Sequence, residues 1–395
     1  MRTASGITAM RRSGIREIMD MAADMAGVLH LEVGEPDFPT PEHIVRAASQ
    51  AAEQGWTKYT ANKGLPDLRD ALAAKLGTRN DIQVHPDQIV VTVGAVNALM
   101  ESLMALVDPG DAILIPDPGW PNYEMMAAAL HARVVRYPLL AGRGFQPDVD
   151  QLEHLARTTP GARVLITNSP GNPTGAVFDA ATSERLVAIA RTADLWLLSD
   201  ECYEDIVFDD ATHVSPGAFD DEGRVLSVFS FSKSYAMTGW RVGYVATTSE
   251  LADLVAKAQE AVASCAPAVS QKAALAALTG DTEPVERMRA AYQERRDVAS
   301  DLLESAGLLV ARPRGAFYAM ADVSGTALDS YAFARQLLLH QRVAVAPGET
   351  FGPGGAGMVR LSLSTSAVDV EEGVRRLVQE VQERSRETSE ASTSP

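Results

Sequence analysis

The run Ser230-Phe231-Ser232-Lys233-Ser234-Tyr235-Ala236-Met237-Thr238-Gly239-Trp240-Arg241-Val242-Gly243 follows an apolar, strand-like stretch at 225–229. It contains one of only six lysines in a chain with 29 arginines. An ordinary surface lysine is out of place directly after a buried strand. A lysine that is desolvated there loses pKa and becomes an amine nucleophile able to condense with an aldehyde. The hydroxyls of Ser230 and Ser232 and the guanidinium of Arg241, eight residues beyond Lys233, are donors suited to a phosphate dianion. An aldehyde and a phosphate in one molecule describe pyridoxal phosphate.

Working outward, short runs rich in Val, Ile and Leu recur at 89–93, 112–115, 133–137, 164–167, 195–199, 225–229 and 243–247, with helical segments between them. Near-continuous apolar strands alternating with helices predict a mostly parallel, seven-stranded sheet buried on both faces. In such α/β sheets ligands sit at the carboxyl ends of the strands, where Asn172, Asp200, Ser230 and Lys233 all fall. Beyond Gly280-Asp281 the spacing of Val285, Met288, Tyr292 and Leu302 predicts a long helix leading into a smaller α+β domain. The expected division is an N-terminal arm with part of the small domain (1–45), a large domain (46–285), a small domain (286–383) and a disordered Ser-, Thr- and Glu-rich tail (384–395).

The lysine segment resembles the attachment signature of the class I and II aminotransferases, the aspartate aminotransferase family of fold-type I pyridoxal-phosphate enzymes. Leu31-Glu32-Val33-Gly34-Glu35-Pro36-Asp37-Phe38, Tyr59-Thr60 with Gly64, Pro170-Gly171-Asn172-Pro173-Thr174-Gly175, Asp200-Glu201-Cys202-Tyr203 and Arg360-Leu361-Ser362 follow in the family's order. The resemblance spans roughly 31–363. It implies a two-domain fold and transfer of an amino group from an amino acid to a 2-oxo acid by a ping-pong route. In that route Lys233 is bonded to the cofactor as a Schiff base and later shuttles the substrate proton. A lyase, synthase or oxidase on the same cofactor, or a non-catalytic effector-binding module, are the alternatives.

The resemblance also implies roles. Asp200 pairs with the protonated ring nitrogen, and Asn172 and Tyr203 bond the ring's phenolic oxygen. Trp120 stacks on the ring. Gly94, Ala95 and Val96 offer backbone amides to the phosphate at a helix start, beside Ser230, Ser232 and Arg241. Tyr59 reaches the phosphate of a neighbouring subunit, which makes the protein a homodimer. Arg360 binds the substrate α-carboxylate, with Asn172 and Trp120 also against the substrate, and Gly34 lets the N-terminal loop approach closely. The residues support this independently at two points. Arg360 lies in an apolar run where an unpaired charge is costly, and the apolar 195–199 run places Asp200 deep.

A net charge of −17 argues against a nucleic-acid partner. No apolar run is long enough to span a membrane. The Arg11-Arg12 pair precedes an amphipathic stretch, Ile15, Ile18, Met19 and Ala22, interrupted by charges, so a helix is expected there and not an export signal. Two cysteines, Cys202 and Cys265, are too few for a disulfide framework, and reduced thiols in a cytoplasmic protein are expected. Seven scattered histidines form no metal-ligand pattern, so no metal is expected. Gly352-Pro353-Gly354-Gly355-Ala356-Gly357 fits a dinucleotide pattern but opens no helix. Some acidic-substrate members of the family carry a lysine in the loop where this chain has Gly94-Ala95-Val96-Asn97, and Val96 cannot pair with a distal carboxylate. An uncharged amino acid is therefore the expected donor, because a buried distal carboxylate without a partner is costly.

Overall fold

The computed structural model describes residues 3–10 and 12–393; Arg11 lies outside them. The sheet of the large domain has eight strands in the order Ile89–Thr92, Gly243–Ala246, Val225–Ser230, Trp196–Asp200, Ala162–Asn168, Ala112–Asp117, Arg133–Leu140 and Gln146–Pro147. The five strands from Val225–Ser230 to Arg133–Leu140 run parallel, whereas Gly243–Ala246 is antiparallel to both of its neighbours. The seven predicted strands are all present. The eighth, Gln146–Pro147, is a two-residue return antiparallel to Leu139–Leu140, too short to leave an apolar run.

Alternation along these strands divides the core by the period-2 rule of extended chain. Val90, Ile113, Ile115, Val164, Ile166, Leu198, Val228 and Val245 pack with helices Ala95–Leu106 and Ser249–Val262 on one face. Ile89, Val91, Phe229 and Tyr244 pack with helices Pro66–Arg79 and Ala268–Thr279 on the other, and Leu114, Leu165 and Leu197 continue that face under Val149–Thr158 and Ala180–Thr192. Each fully buried aliphatic side chain contributes about 1.5–3 kcal/mol. Register then decides where polar residues emerge. Asn168 stands opposite Asp200, and Asp200 opposite Val228, so the parallel strands present Asn168, Asp200 and Ser230 along one carboxyl edge.

The predicted long helix is Glu283–Ser305, with Met288, Tyr292, Ala299 and Leu303 buried. Two adjacent arginines on it grip different regions. Arg295 donates to both carboxylate oxygens of Asp37 (2.8 and 2.9 Å), and Arg296 to Asp209 (2.9 Å). Strands Tyr318–Asp322, Met358–Ser362 and Ala346–Pro347 form an antiparallel sheet, and Leu29–His30 pairs in parallel with Val343–Ala344. The N-terminal helix Gly14–Ala22 buries Gly14, Ile18 and Ala22 and packs on helix Ser330–Gln341 and strand Ala346–Pro347.

Helix Ala367–Thr393 runs on through residues 384–393, and the last two residues of the expected tail lie outside the described residues. Val370, Val374, Leu377 and Val381 bury one face of it. Arg384, paired with Glu380 four residues before and Glu387 three after, carries the helix past the point where apolar periodicity ends. The glycine-rich run Gly352–Gly357 also has a structural task. The Gly354 N–H donates to Asp117 Oδ1 (2.8 Å) at the end of a sheet strand.

Candidate active site

A cavity of about 620 Å³ opens at the carboxyl edge of the sheet, between the large domain, the N-terminal loop and the small domain. Lys233, Asp200, Tyr203, Asn172, Trp120, Ala95, Val96, Ser230, Ser232, Arg241, Gly34 and Arg360 all line it. Gly94 caps the helix Ala95–Leu106 at its border. Only Tyr59 stands apart: it is 87% exposed and does not reach this chain's own cavity.

Lys233 Nζ donates to the Gly34 carbonyl (2.6 Å). Burial lowers its pKa to about 8, and Arg360 and Arg241 push the same way against Cys202 and Glu35. The amine is therefore neutral in about a tenth of molecules at pH 7, far more than an ordinary lysine, and a nucleophile requires that form.

Asp200 is 4% exposed. Its Oδ2 accepts from the Tyr123 hydroxyl (2.6 Å) and its Oδ1 from the Cys202 N–H (3.3 Å). Burial raises its pKa, and the donors Cys202 and Tyr123 oppose the shift without cancelling it. Among the described residues Asp200 has no ion pair, so a cationic group in the cavity would remove a real penalty.

The cations show the converse. None of Lys233, Arg241 and Arg360 forms an ion pair among the described residues. Arg241 donates to the carbonyls of Thr238 (2.8 Å) and Val93 (3.5 Å). Its backbone is left-handed (φ 52°), and its guanidinium lies beside Gly94 (φ 77°), where a Cβ would come within 2.6 Å of Arg241 Nη2. Glycine at 94 is thus what allows the guanidinium to sit against the start of helix Ala95–Leu106. That helix start has no side-chain cap and no acid in its first turn, which leaves its amides to an anion.

Arg360 is 2% exposed and packs over the rings of Tyr318 (4.4 Å) and Phe351 (5.0 Å). Its Nη1 donates to Asn172 Oδ1 (3.0 Å) and its Nη2 to the Glu32 carbonyl. Because arginine only donates, this bond fixes the Asn172 oxygen toward Arg360 and leaves the amide nitrogen as the donor that can face a ligand. The Asn172 N–H in turn donates to Asn168 Oδ1 (2.8 Å), and Asn168 Nδ2 to the Asp200 carbonyl (3.0 Å).

Several contacts carry no local sequence signal. Tyr123 is the direct donor to Asp200, yet its sequence context is that of any core aromatic. Tyr318 places its hydroxyl 2.8 Å from that of Tyr203, and a Cβ on Gly34 would fall 1.9 Å from the same hydroxyl. Asn168 becomes visible only through strand register. Arg12, Ile15, Arg16 and Met19 of the N-terminal region line the cavity mouth; their helical spacing gave no hint of a ligand.

A buried amine, a carboxylate lacking a cation, two guanidinium groups lacking an anion and an uncapped helix start meet in one cavity. The chain belongs to the aminotransferases of class I and II, whose family model matches residues 26–377. That family is pyridoxal-phosphate-dependent with the fold-type I architecture, and the chain is accordingly an aminotransferase of Schiff-base chemistry. It is 36% identical over 377 residues to the aspartate aminotransferase of Pyrococcus horikoshii (95% of this chain, 96% of that protein). It is 35% identical to the aromatic-amino-acid aminotransferase 2 of Thermococcus litoralis (94% and 96% covered). Its fold matches the solved aspartate aminotransferase of Thermus thermophilus with maleate at a TM-score of 0.91, with 36% identity, over 96% of this chain and all of that one. Among the described residues no helix is long and apolar enough to cross a membrane, and no cluster of ligands could hold a metal ion.

Proposed function

We propose that this aminotransferase binds pyridoxal 5'-phosphate in the 620 Å³ cavity and moves the amino group of an uncharged L-amino acid to a 2-oxo acid in two half-reactions. The observation that carries the reading is the charge arrangement: three cations without carboxylate partners and one buried carboxylate without a cation face the same space. Bound pyridoxal phosphate supplies an aldehyde for amine exchange and a protonated ring that accepts the electron pair released at the substrate α carbon.

The chain's own residues do the rest. Arg241, Ser230, Ser232 and the first amides of the helix at Gly94, Ala95 and Val96 hold the phosphate. Asp200, kept in place by Tyr123, would face the ring nitrogen and favour its protonated form. Trp120 provides the wall for the ring, and the Asn172 amide nitrogen and Tyr203 hydroxyl serve the phenolic oxygen. Lys233 Nζ is the amine that would hold the aldehyde and, when free, would carry the proton from the substrate α carbon. Arg360 takes the α-carboxylate in its two-pronged grip.

Val96, Leu99, Met125, Ile15 and Met19 supply apolar lining, which suits an uncharged side chain. The named relatives act on aspartate in some cases and on aromatic amino acids in others, so the lining is the stronger guide. A homodimer follows if the exposed Tyr59 serves the phosphate of a partner's site; sedimentation showing a fully active monomer would refute it. The absorption spectrum of the cofactor-loaded protein tests the function. An amino acid alone should change it and a 2-oxo acid alone should restore it. Product release without that two-stage reversal would mark a lyase.

A further inference from the structure

The hydroxyl oxygens of Tyr203 and Tyr318 lie 2.8 Å apart in the wall of the cavity. Both residues are buried, at 5% and 1% exposure. Among the described residues neither hydroxyl has another hydrogen-bond partner. Burial raises the pKa of both phenols, so each keeps its proton. In a single contact between two such groups one hydroxyl donates, and the proton of the other is left to point elsewhere.

The surroundings decide which one donates. Tyr318 is shut in: its ring lies against the Arg360 guanidinium (4.4 Å), which only donates, and its hydroxyl crowds the N-terminal loop so closely that a Cβ on Gly34 would meet it at 1.9 Å. If Tyr203 donated, the Tyr318 proton would be buried without an acceptor among the described residues, which is costly. With Tyr318 as donor, the proton of Tyr203 is free for the cavity. Phe317 packs edge-on against the Tyr203 ring (5.4 Å between centroids, 88°) and steadies it independently of the hydroxyl.

We propose that Tyr318 is a positioning residue for amine transfer: by donating to Tyr203 it turns the single Tyr203 proton toward the phenolic oxygen of pyridoxal phosphate and strengthens that donation. The assignment rests on the reading of this cavity as the pyridoxal-phosphate site. A hydroxyl that accepts one hydrogen bond is the better donor of the next, by roughly 10–30% per bond. A stronger donor favours the anion of the phenolic oxygen, and an anion engaged in that way is less able to hold a proton on the nitrogen that joins the cofactor to Lys233. Tyr318 thereby lowers the pH at which that nitrogen titrates, without touching the cofactor.

The test is a spectrophotometric pH titration of the pyridoxal-phosphate-loaded protein, unaltered and as Tyr318→Phe, Tyr203→Phe and the double variant. Tyr318→Phe should raise the midpoint of the cofactor band by about 0.3–1 pH unit, the scale of part or all of one hydrogen bond. Tyr203→Phe should raise it at least as much, and adding Tyr318→Phe to that variant should raise it no further, because the effect passes through Tyr203. Phenylalanine keeps the ring against Arg360, so butyrate, a carboxylate with no amine to transfer, should bind Tyr318→Phe within about twofold of the parent. A midpoint unmoved by Tyr318→Phe, or moved equally in both backgrounds, overturns the assignment and leaves amine transfer standing. A tenfold loss of butyrate binding also overturns it, making Tyr318 a support for Arg360 alone. Absence of any cofactor band in the unaltered protein defeats the proposed function, and the role of Tyr318 with it.

Discussion

The floor and the mouth of the cavity are built on opposite principles. At the floor, Asp200 and Arg360 are almost fully buried and each is held by at least two hydrogen bonds to neighbours that are themselves bonded. At the mouth, Arg12 just before helix Gly14–Ala22 and Arg16 on it are exposed, and Arg16 has no ion pair among the described residues. Charge is strong where water is absent and adjustable where water is present. The floor thus fixes a reaction common to many substrates, while the mouth can be altered without disturbing it.

The sharpest test of that contrast removes the amine from the floor. Lys233→Ala should lower turnover roughly 10⁴-fold, since it removes both the bond to the cofactor and the proton carrier. Measured kcat within tenfold of the parent would move the chemistry elsewhere. Asp200→Asn should reduce kcat about 10²–10³-fold, the scale for losing a preorganised electrostatic partner. The same change should leave the melting temperature of the cofactor-free protein level or raised, because burial already disfavours that carboxylate. A large drop in the cofactor-free melting temperature would make Asp200 a structural residue.

Gly34→Ala probes the seam between floor and mouth. Its Cβ would collide with the Tyr318 hydroxyl at 1.9 Å, so the loop whose carbonyl holds Lys233 must shift, and kcat/KM should fall about 10²-fold, as for ångström-scale misplacement. Adding Tyr318→Phe should restore part of the loss, and no recovery would mean that the collision is not the cause.

The smallest effect is graded by pH. With the Lys233 pKa lowered to about 8 by burial, the neutral amine gains about tenfold per pH unit below that value and saturates above it. The rate at which cofactor-free protein takes up pyridoxal phosphate, followed by absorbance, should rise with pH and level off near pH 8–9. A rise continuing unbroken to about pH 10, the range of an ordinary lysine, would show that the amine is not desolvated.

The same contrast explains what could be read from the chain alone. The sheet was legible because both of its faces are buried, which leaves strands as continuous apolar runs. Lys233, Asp200 and Arg360 were legible because ionisable residues beside or within such runs are conspicuous. Gln146–Pro147 escaped because two residues make no pattern, and the terminal helix extends beyond its apolar period with the charge pairs of Arg384 and a bond from Ser385 to the Gly325 carbonyl. Tyr123 and Tyr318 could not be told from core aromatics, since what distinguishes them is the partner of a hydroxyl 77 and 115 residues away. Arg16 looked like the wet side of an amphipathic helix because solvent and the cavity mouth lie on the same side of it.

The neighbouring arginines of helix Glu283–Ser305 have a mechanical consequence. Arg295 is tethered to Asp37 in the N-terminal loop and Arg296 to Asp209 of the large domain. One rigid rod therefore carries two tethers to different bodies, fastened side by side. Asp37 is three residues from the Gly34 carbonyl that holds Lys233. A displacement of this helix would therefore reach the loop that holds the lysine.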